Sequence, residues 1–354
     1  MKNYAVEAWR FVFCLIICLY HFLGYGGAQE AGMPFKGGYL AVEFFFIVSG
    51  FLLMQHFERK AMEKDFLNPE KSAAAYLGKK YLRLFPHHTF SLIVLSIVCL
   101  TIVGYSFQKV ATVGFWEFFM LGQFGFGSKS MINTPAWYVS ALLTASFLLY
   151  YLLLKNRQRF IYFFAPAMIL IIYAQFFQSA DFLNQNLNCQ FIVCNGVFRA
   201  LAGMSLGCLC YKAYLRLCPL VQGRFRLCST ILELGIFALF IRIIYHGGYN
   251  SWDFLVPPVM AVFVISIFLG NSFLSRILNN RFSGYLGNLS YAVYLNQGIF
   301  TAVFIMRFSG YDYWGAALAY LAAVVLFSVC STWFVERAAG LISSFAGQKS
   351  AGMK

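Results

Sequence analysis

Four ionisable residues of this sequence lie in apolar stretches where a charge has no ordinary place. Arg10 and His21 fall in the first apolar run and Arg199 in a later one. Glu43 lies in the second, Gly38-Tyr39-Leu40-Ala41-Val42-Glu43-Phe44-Phe45-Phe46-Ile47-Val48-Ser49-Gly50-Phe51. A central Arg or Asp in a membrane span costs about 2.5–3.5 kcal/mol, so such residues need a reason. Arg10 and His21 are eleven residues apart, which on a helix is about 20° off one face and about 16 Å along the axis. One face therefore carries a fixed cation near its start and an imidazole near its end. His takes and gives protons near neutral pH, and a carboxylate beside it fixes its tautomer and stabilises the imidazolium. Glu43 enters its run at a depth comparable with His21. A snorkelling Arg, a helix-capping His and a Glu facing water would give the same pattern. Arg199, in Asn195-Gly196-Val197-Phe198-Arg199-Ala200, is a site candidate or a structural partner for a carbonyl or for Glu233. Arg242 lies nearer the outer face and reads as snorkelling. Ser49-Gly50 lacks the G-x-S-x-G elbow of a nucleophile and reads as close helix packing.

The elements that position these residues follow from composition. Of 354 residues, 60% are hydrophobic and 11% charged, against about 25% charged in a soluble domain. This excludes a soluble enzyme and a disordered chain. Apolar runs of spanning length occur at about 4–24, 38–57, 84–104, 136–154, 160–178, 191–213, 227–246, 253–270, 284–306 and 312–335. The stretch 110–126, with Glu117, Gln123 and nearby glycines, reads as re-entrant or interfacial. With the N-terminus inside, 20 of the 27 Lys and Arg fall in inner segments and four (Lys36, Lys109, Lys129, Arg307) in outer ones; Arg10, Arg199 and Arg242 lie within spans. That is the positive-inside asymmetry. A crossing at 110–126 would reverse it. The same spread accounts for the net charge of +14 without a nucleic-acid module.

The expected fold is an all-α, polytopic transmembrane helical bundle of about ten spans with both termini cytoplasmic. One domain covers 1–340, followed by a short cytoplasmic tail, 341–354. The inner loop 58–83 is expected to form an interfacial helix. The first run keeps Arg10 and lacks a small-residue cleavage site, so it reads as a retained helix. Cys14, Cys18, Cys99, Cys208, Cys210 and Cys330 read as small hydrophobes. Cys189 and Cys194 flank a short outer segment where a disulfide is feasible. No cysteine spacing suits a metal.

Several segments, in order, resemble the acyltransferase-3 family of integral membrane acyltransferases. The run Arg10 to His21 is similar to its R-x10-H signature, and Glu43 to Phe51 to its second-helix motif. Lys80-Tyr81-Leu82-Arg83-Leu84-Phe85-Pro86 resembles its R-x-x-R-x-x-P approach to the third helix. Trp137-Tyr138-Val139-Ser140, Ser290-Tyr291-Ala292-Val293-Tyr294-Leu295 and Glu336-Arg337 resemble its W-[ST]-L, S-Y-x-x-Y-L and closing E-R-P segments. The chain departs from the pattern at Glu43, where Asp is more usual, at Leu142, where many members carry Glu, and at Gln297, where many carry His.

The resemblance implies a multi-pass protein of the bacterial cytoplasmic membrane. Its reaction would move an acyl group, usually acetyl, from cytoplasmic acyl-CoA to a hydroxyl of a cell-surface or lipid-linked glycan. A hydroxyl attacks a thioester poorly unless a base takes its proton. His21 is the expected base or acyl carrier, oriented by Glu43. Arg10 is expected to hold a CoA phosphate or the pantetheine arm, or to act catalytically by neutralising developing charge, and Lys80, Arg83 and Arg199 to contribute to acyl-CoA binding. Topology and lipid headgroups are the plainer reading of Lys80 and Arg83. Trp137, Tyr138 and Tyr291 are either packing residues or stack on acceptor sugars. His56, His87 and His88 are expected at inner helix ends, satisfying interfacial hydrogen bonds. The expected partners are membrane lipids and a glycan acceptor, with acetyl-CoA as co-substrate, no permanently bound cofactor, no metal and no nucleic acid. A transporter or flippase of a glycan or lipid intermediate is the alternative, although no inverted repeat is visible.

Overall fold

The apolar runs fold as helices throughout. The computed structural model describes residues 3–25, 34–63, 68–125, 131–190, 193–221, 223–307 and 313–351. The helices are α1 (Tyr4–Tyr25), α2 (Ala41–Met62), α3 (Pro69–Val98), α4 (Phe107–Phe118), α5 (Trp137–Lys155), a turn α6 (Arg157–Arg159), α7 (Ala165–Ala180), α8 (Asn195–Val221), α9 (Arg226–His246), α10 (Val256–Leu269), a short α11 (Phe273–Leu278), α12 (Arg281–Arg307) and α13 (Tyr313–Ala351). A two-stranded hairpin, β1 (Cys189–Gln190) and β2 (Val193–Cys194), precedes α8. Lys2, Lys64, Lys129 and Lys354 of the charge count lie outside the described residues.

Among the described residues, eight helical segments are long and apolar enough to cross a membrane. Two further helices, α8 and α12, have 27 residues each but carry more polar side chains. Asn195, Arg199 and Ser205 of α8 are buried, as are Ser290, Asn296, Gln297 and Thr301 of α12. The reason is position. α8 packs against α2, α5, α7 and α10, and α12 against α1, α3 and α13. Polar groups that would be costly toward lipid are tolerated where neighbouring helices cover them.

Local signals set several boundaries differently from the apolar runs. Asn68 caps α3, its Oδ1 accepting the Lys71 N–H at 2.9 Å with Pro69 in the first turn, a strong helix start. The loop expected over 58–83 is therefore divided: α2 runs to Met62, and residues from Pro69 onward are the first turns of α3 rather than a separate interfacial helix. His88, expected at a helix end, sits well inside α3 and is buried. The α4 segment has 12 residues, about 18 Å of helix, too short for a ~30 Å core; it does not cross. α13 continues to Ala351, so the expected tail begins inside a helix.

Aromatic stacking and small residues hold the centre. Phe13 of α1 stacks on Phe44 of α2 at 4.2 Å, and Phe51 of α2 on Phe268 of α10 at 3.7 Å. α2 and α8 approach backbone to backbone. A Cβ on Gly50 would lie 1.9 Å from the Met204 carbonyl oxygen, and one on Gly207 would lie 2.0 Å from that of Ile47. Ser49-Gly50 is thus a packing device. Cys189 and Cys194, opposite each other in the hairpin, form a disulfide.

Candidate active site

His21 lies one turn from the end of α1 and opens onto a cavity of about 640 Å³. Ile17, Tyr20 and Gly24 line it beside His21. The start of α2 contributes Tyr39 and Val42, the start of α5 contributes Trp137, and α12 contributes Tyr294. Lys36, Thr134, Tyr249 and the loop Asn184–Asn188 complete the wall. Several helix ends and loops thus meet over the His21 imidazole, the arrangement expected of a ligand pocket.

The tautomer of His21 follows from its partner. Gln297 Nε2 donates to the Tyr294 carbonyl at 2.7 Å, which turns Gln297 Oε1 toward His21 Nδ1 at 3.0 Å. An amide oxygen accepts and cannot donate, so Nδ1 carries the proton and Nε2 the lone pair. Gln297 therefore supplies the orientation expected of Glu43.

Glu43 does something else. Its Oε1 accepts from Arg199 Nε at 2.6 Å and its Oε2 from the Tyr173 hydroxyl at 3.0 Å. It makes no hydrogen bond to His21. Arg199 also donates from Nη1 to Asn186 Oδ1 at 3.0 Å and from Nη2 to the Tyr39 carbonyl at 3.1 Å. Neither side chain of the pair is exposed. An arginine so enclosed has no face for a CoA phosphate, which corrects the acyl-CoA role expected for Arg199. It anchors the cavity wall through Asn186 and Tyr39. Glu233, the other partner considered for it, accepts from Ser266, Ser272 and Ser275.

The remaining wall is a hydrogen-bonded sheath that sequence reasoning missed. The Tyr39 hydroxyl donates to Asp253 Oδ2, which also accepts the Leu183 N–H at 3.0 Å. Asn184 Nδ2 donates to the hydroxyls of Tyr20 and Tyr249 at 3.0 and 2.7 Å. The first residues of α8, directly after the disulfide hairpin, support this loop from behind. Asn195 N–H donates to the Asn188 carbonyl at 2.8 Å, and Cys194 N–H to that of Gln123 at 2.9 Å. The available signal was the polar run Asn184-Gln185-Asn186-Leu187-Asn188 between two apolar spans.

On the adjoining side, Glu117 pins the segment before α5. Its carboxylate accepts the N–H groups of Ile132 and Asn133, the latter at 3.0 Å, and its carbonyl accepts His88 Nε2–H at 2.7 Å. Burial pushes the Glu117 carboxyl up to about 7, against the lowering effect of those two backbone donors.

The other expected site residues, Trp137 excepted, lie away from the cavity. Arg10, about 16 Å along α1 from His21, is paired with Glu7 at 2.7 Å and is 24% exposed. Lys80 Nζ donates to Ser146 Oγ at 2.7 Å, and Arg83 is exposed. Ser146 is nine residues along α5 from Trp137, about 13 Å from the cavity. Trp137 lines the cavity, but Tyr138 and Tyr291 do not. Tyr138 packs against Phe46 at 4.9 Å and Tyr294 at 5.6 Å, and Tyr291 donates to the Leu84 carbonyl at 3.2 Å. The tyrosines on the cavity are Tyr20, Tyr39, Tyr249 and Tyr294. His87 stacks edge-on against Tyr291, and His56 lies beside the stacked rings of Tyr76 and Tyr150. Among the described residues, no group of three or more His, Cys, Asp or Glu is placed to hold a metal ion.

Neither a curated protein nor a solved structure matches the chain. A family model does: that of the acyltransferase domain of the acyltransferase-3 type matches residues 3–335. The match takes in the whole of α1, the cavity and every element that builds it. The chain therefore belongs to the acyltransferase-3 family and is a multi-pass membrane acyltransferase.

Proposed function

We propose that this protein moves an acetyl group from cytoplasmic acetyl-CoA to a hydroxyl of a cell-surface or lipid-linked glycan, in a bacterial cytoplasmic membrane. The observation that carries this reading is the Gln297-fixed tautomer of His21 at the wall of the cavity. His21 Nε2 takes the proton of the acceptor hydroxyl as its oxygen attacks the thioester carbonyl. A C–O bond forms, the C–S bond breaks, and the imidazolium returns the proton to the departing thiolate. Gln297 is neutral, so it sets ring direction without adding charge. Arg10, about 16 Å further along the same helix, suits the pantetheine or phosphate end of a donor entering from the opposite side. Lys80 and Arg83 suit its outer phosphates.

The wall chemistry fits a saccharide. Tyr20, Tyr39, Trp137, Tyr249 and Tyr294 line the cavity with aromatic rings, and Asn188 adds an exposed amide. The test is purified protein in proteoliposomes with acetyl-labelled CoA and a surface-glycan extract. Label should pass to the glycan in the wild type and not in His21→Ala. Wild-type turnover in His21→Ala would remove His21 from the chemistry, and glycan movement without thioester consumption would favour a transporter.

A further inference from the structure

Among the described residues lining the cavity there is no carboxylate, and Lys36 carries the permanent charge. The buried carboxylates behind the wall face elsewhere: Glu43 toward Arg199 and Tyr173, and Asp253 toward Tyr39 and the Leu183 N–H. No ion pair joins Lys36 to another described residue, and its ammonium lies 5.6 Å from the centroid of the Tyr249 ring.

The Lys36 backbone is held by close contacts. Gly37 N–H donates to the Ile244 carbonyl at 2.9 Å, and a Cβ on Gly37 would lie 2.8 Å from Ile244 Cα. Gly248, at φ +103°, approaches so closely that a Cβ there would lie 2.8 Å from Gly37 Cα and 3.0 Å from the Lys36 carbonyl carbon. Phe35 packs edge-on against Tyr245. The end of α9 thus fixes where Lys36 leaves the chain, while Tyr249 is tied by its hydroxyl to Tyr20 at 2.6 Å and to Asn184. A cation presented from a fixed backbone over a pocket whose described lining holds no carboxylate favours an anionic occupant, and such charges act chiefly on selectivity.

We propose that the saccharide filling this cavity is anionic, bearing a carboxylate or a phosphate, and that Lys36 selects it. The proposal rests on the acyl-transfer reading for the role of that saccharide, but its test is binding alone. Full-length protein in neutral phosphatidylcholine nanodiscs is titrated with a uronic-acid oligosaccharide, its carboxyl-reduced neutral counterpart and a phosphorylated oligosaccharide of the same length. The wild type should bind one or both charged forms roughly tenfold more tightly than the neutral one, the scale of a single charge-assisted hydrogen bond. The form preferred separates carboxylate from phosphate. Lys36→Gln should erase the preference and Lys36→Arg should keep it. Equal affinity for charged and neutral forms, no binding of any, or a preference that survives Lys36→Gln would overturn the proposal. Acetyl-CoA consumption is followed separately, so that its absence defeats the transfer reading and leaves the binding result standing.

Discussion

Arg199 Nε lies 2.6 Å from Glu43 Oε1, and neither side chain has any exposed surface. Removing one partner of such a pair strands a buried charge, at about 3–5 kcal/mol. Glu43→Gln and Arg199→Met should each lower the thermal midpoint in detergent sharply. The double variant Glu43→Gln/Arg199→Met should recover part of that loss, because no uncompensated charge remains. Its activity should stay low, since Asn186 and the Tyr39 carbonyl lose their donor. Additive losses in the double variant would contradict the pairing.

His21 and Gln297 make separable contributions. His21→Ala removes a general base, an effect of about 10²–10⁴ in rate. Gln297→Leu removes both hydrogen bonds of the amide, of which the one to His21 bears on the chemistry, at about 1 kcal/mol or about fivefold. The smaller effect should fall on kcat with the acceptor KM little changed, read by steady-state transfer kinetics. A loss as deep as that of His21→Ala would mean that Gln297 does more than direct the ring.

Glu117 gives stability a pH dependence of known sign. Its carboxyl is raised from an ordinary 4.5 to about 7 in the folded protein. The folded state therefore holds this proton between those values while the unfolded state releases it. The contribution is complete below about 4.5, declines as pH rises, and is gone above about 7. Glu117→Gln should flatten that part of the melting curve measured against pH. It should also lower stability by about 1–3 kcal/mol, because an amide cannot accept both the Ile132 and Asn133 N–H groups.

The Cys189–Cys194 disulfide closes a short loop, worth about 2 kcal/mol in the chain-entropy account. The first residues of α8, directly after this hairpin, hold the Asn186 and Asn188 carbonyls through backbone hydrogen bonds from Gly196 and Asn195. Cys189→Ser/Cys194→Ser should raise the acceptor KM more than it lowers kcat. An unchanged KM would show that the hydrogen bonds of the loop hold its shape without the disulfide.

The apolar runs announced helices because a lipid-facing segment must satisfy its backbone internally, and that requirement is written locally. That Arg10, His21 and Glu43 lie on helices was legible for the same reason. Pairings were not. Glu43 meets Arg199 across 156 residues and His21 meets Gln297 across 276, and local pattern carries no trace of either. Glu43 beside His21 was a reasonable reading of equal depth, but depth does not fix which face of a helix turns where. The start of α3 was legible at Asn68-Pro69 and was masked by the weight given to hydropathy.

The glycine contacts between α2 and α8 limit how the bundle can move. With Gly50 seated on the Met204 carbonyl and Gly207 on that of Ile47, an axial slip of one residue would drive side chains into backbone. The two helices are keyed together against sliding, and this pair carries both Glu43 and Arg199. A mechanism that rocks one half of the bundle past the other has no slip plane here. Substrates must travel to a site whose central pair stays fixed.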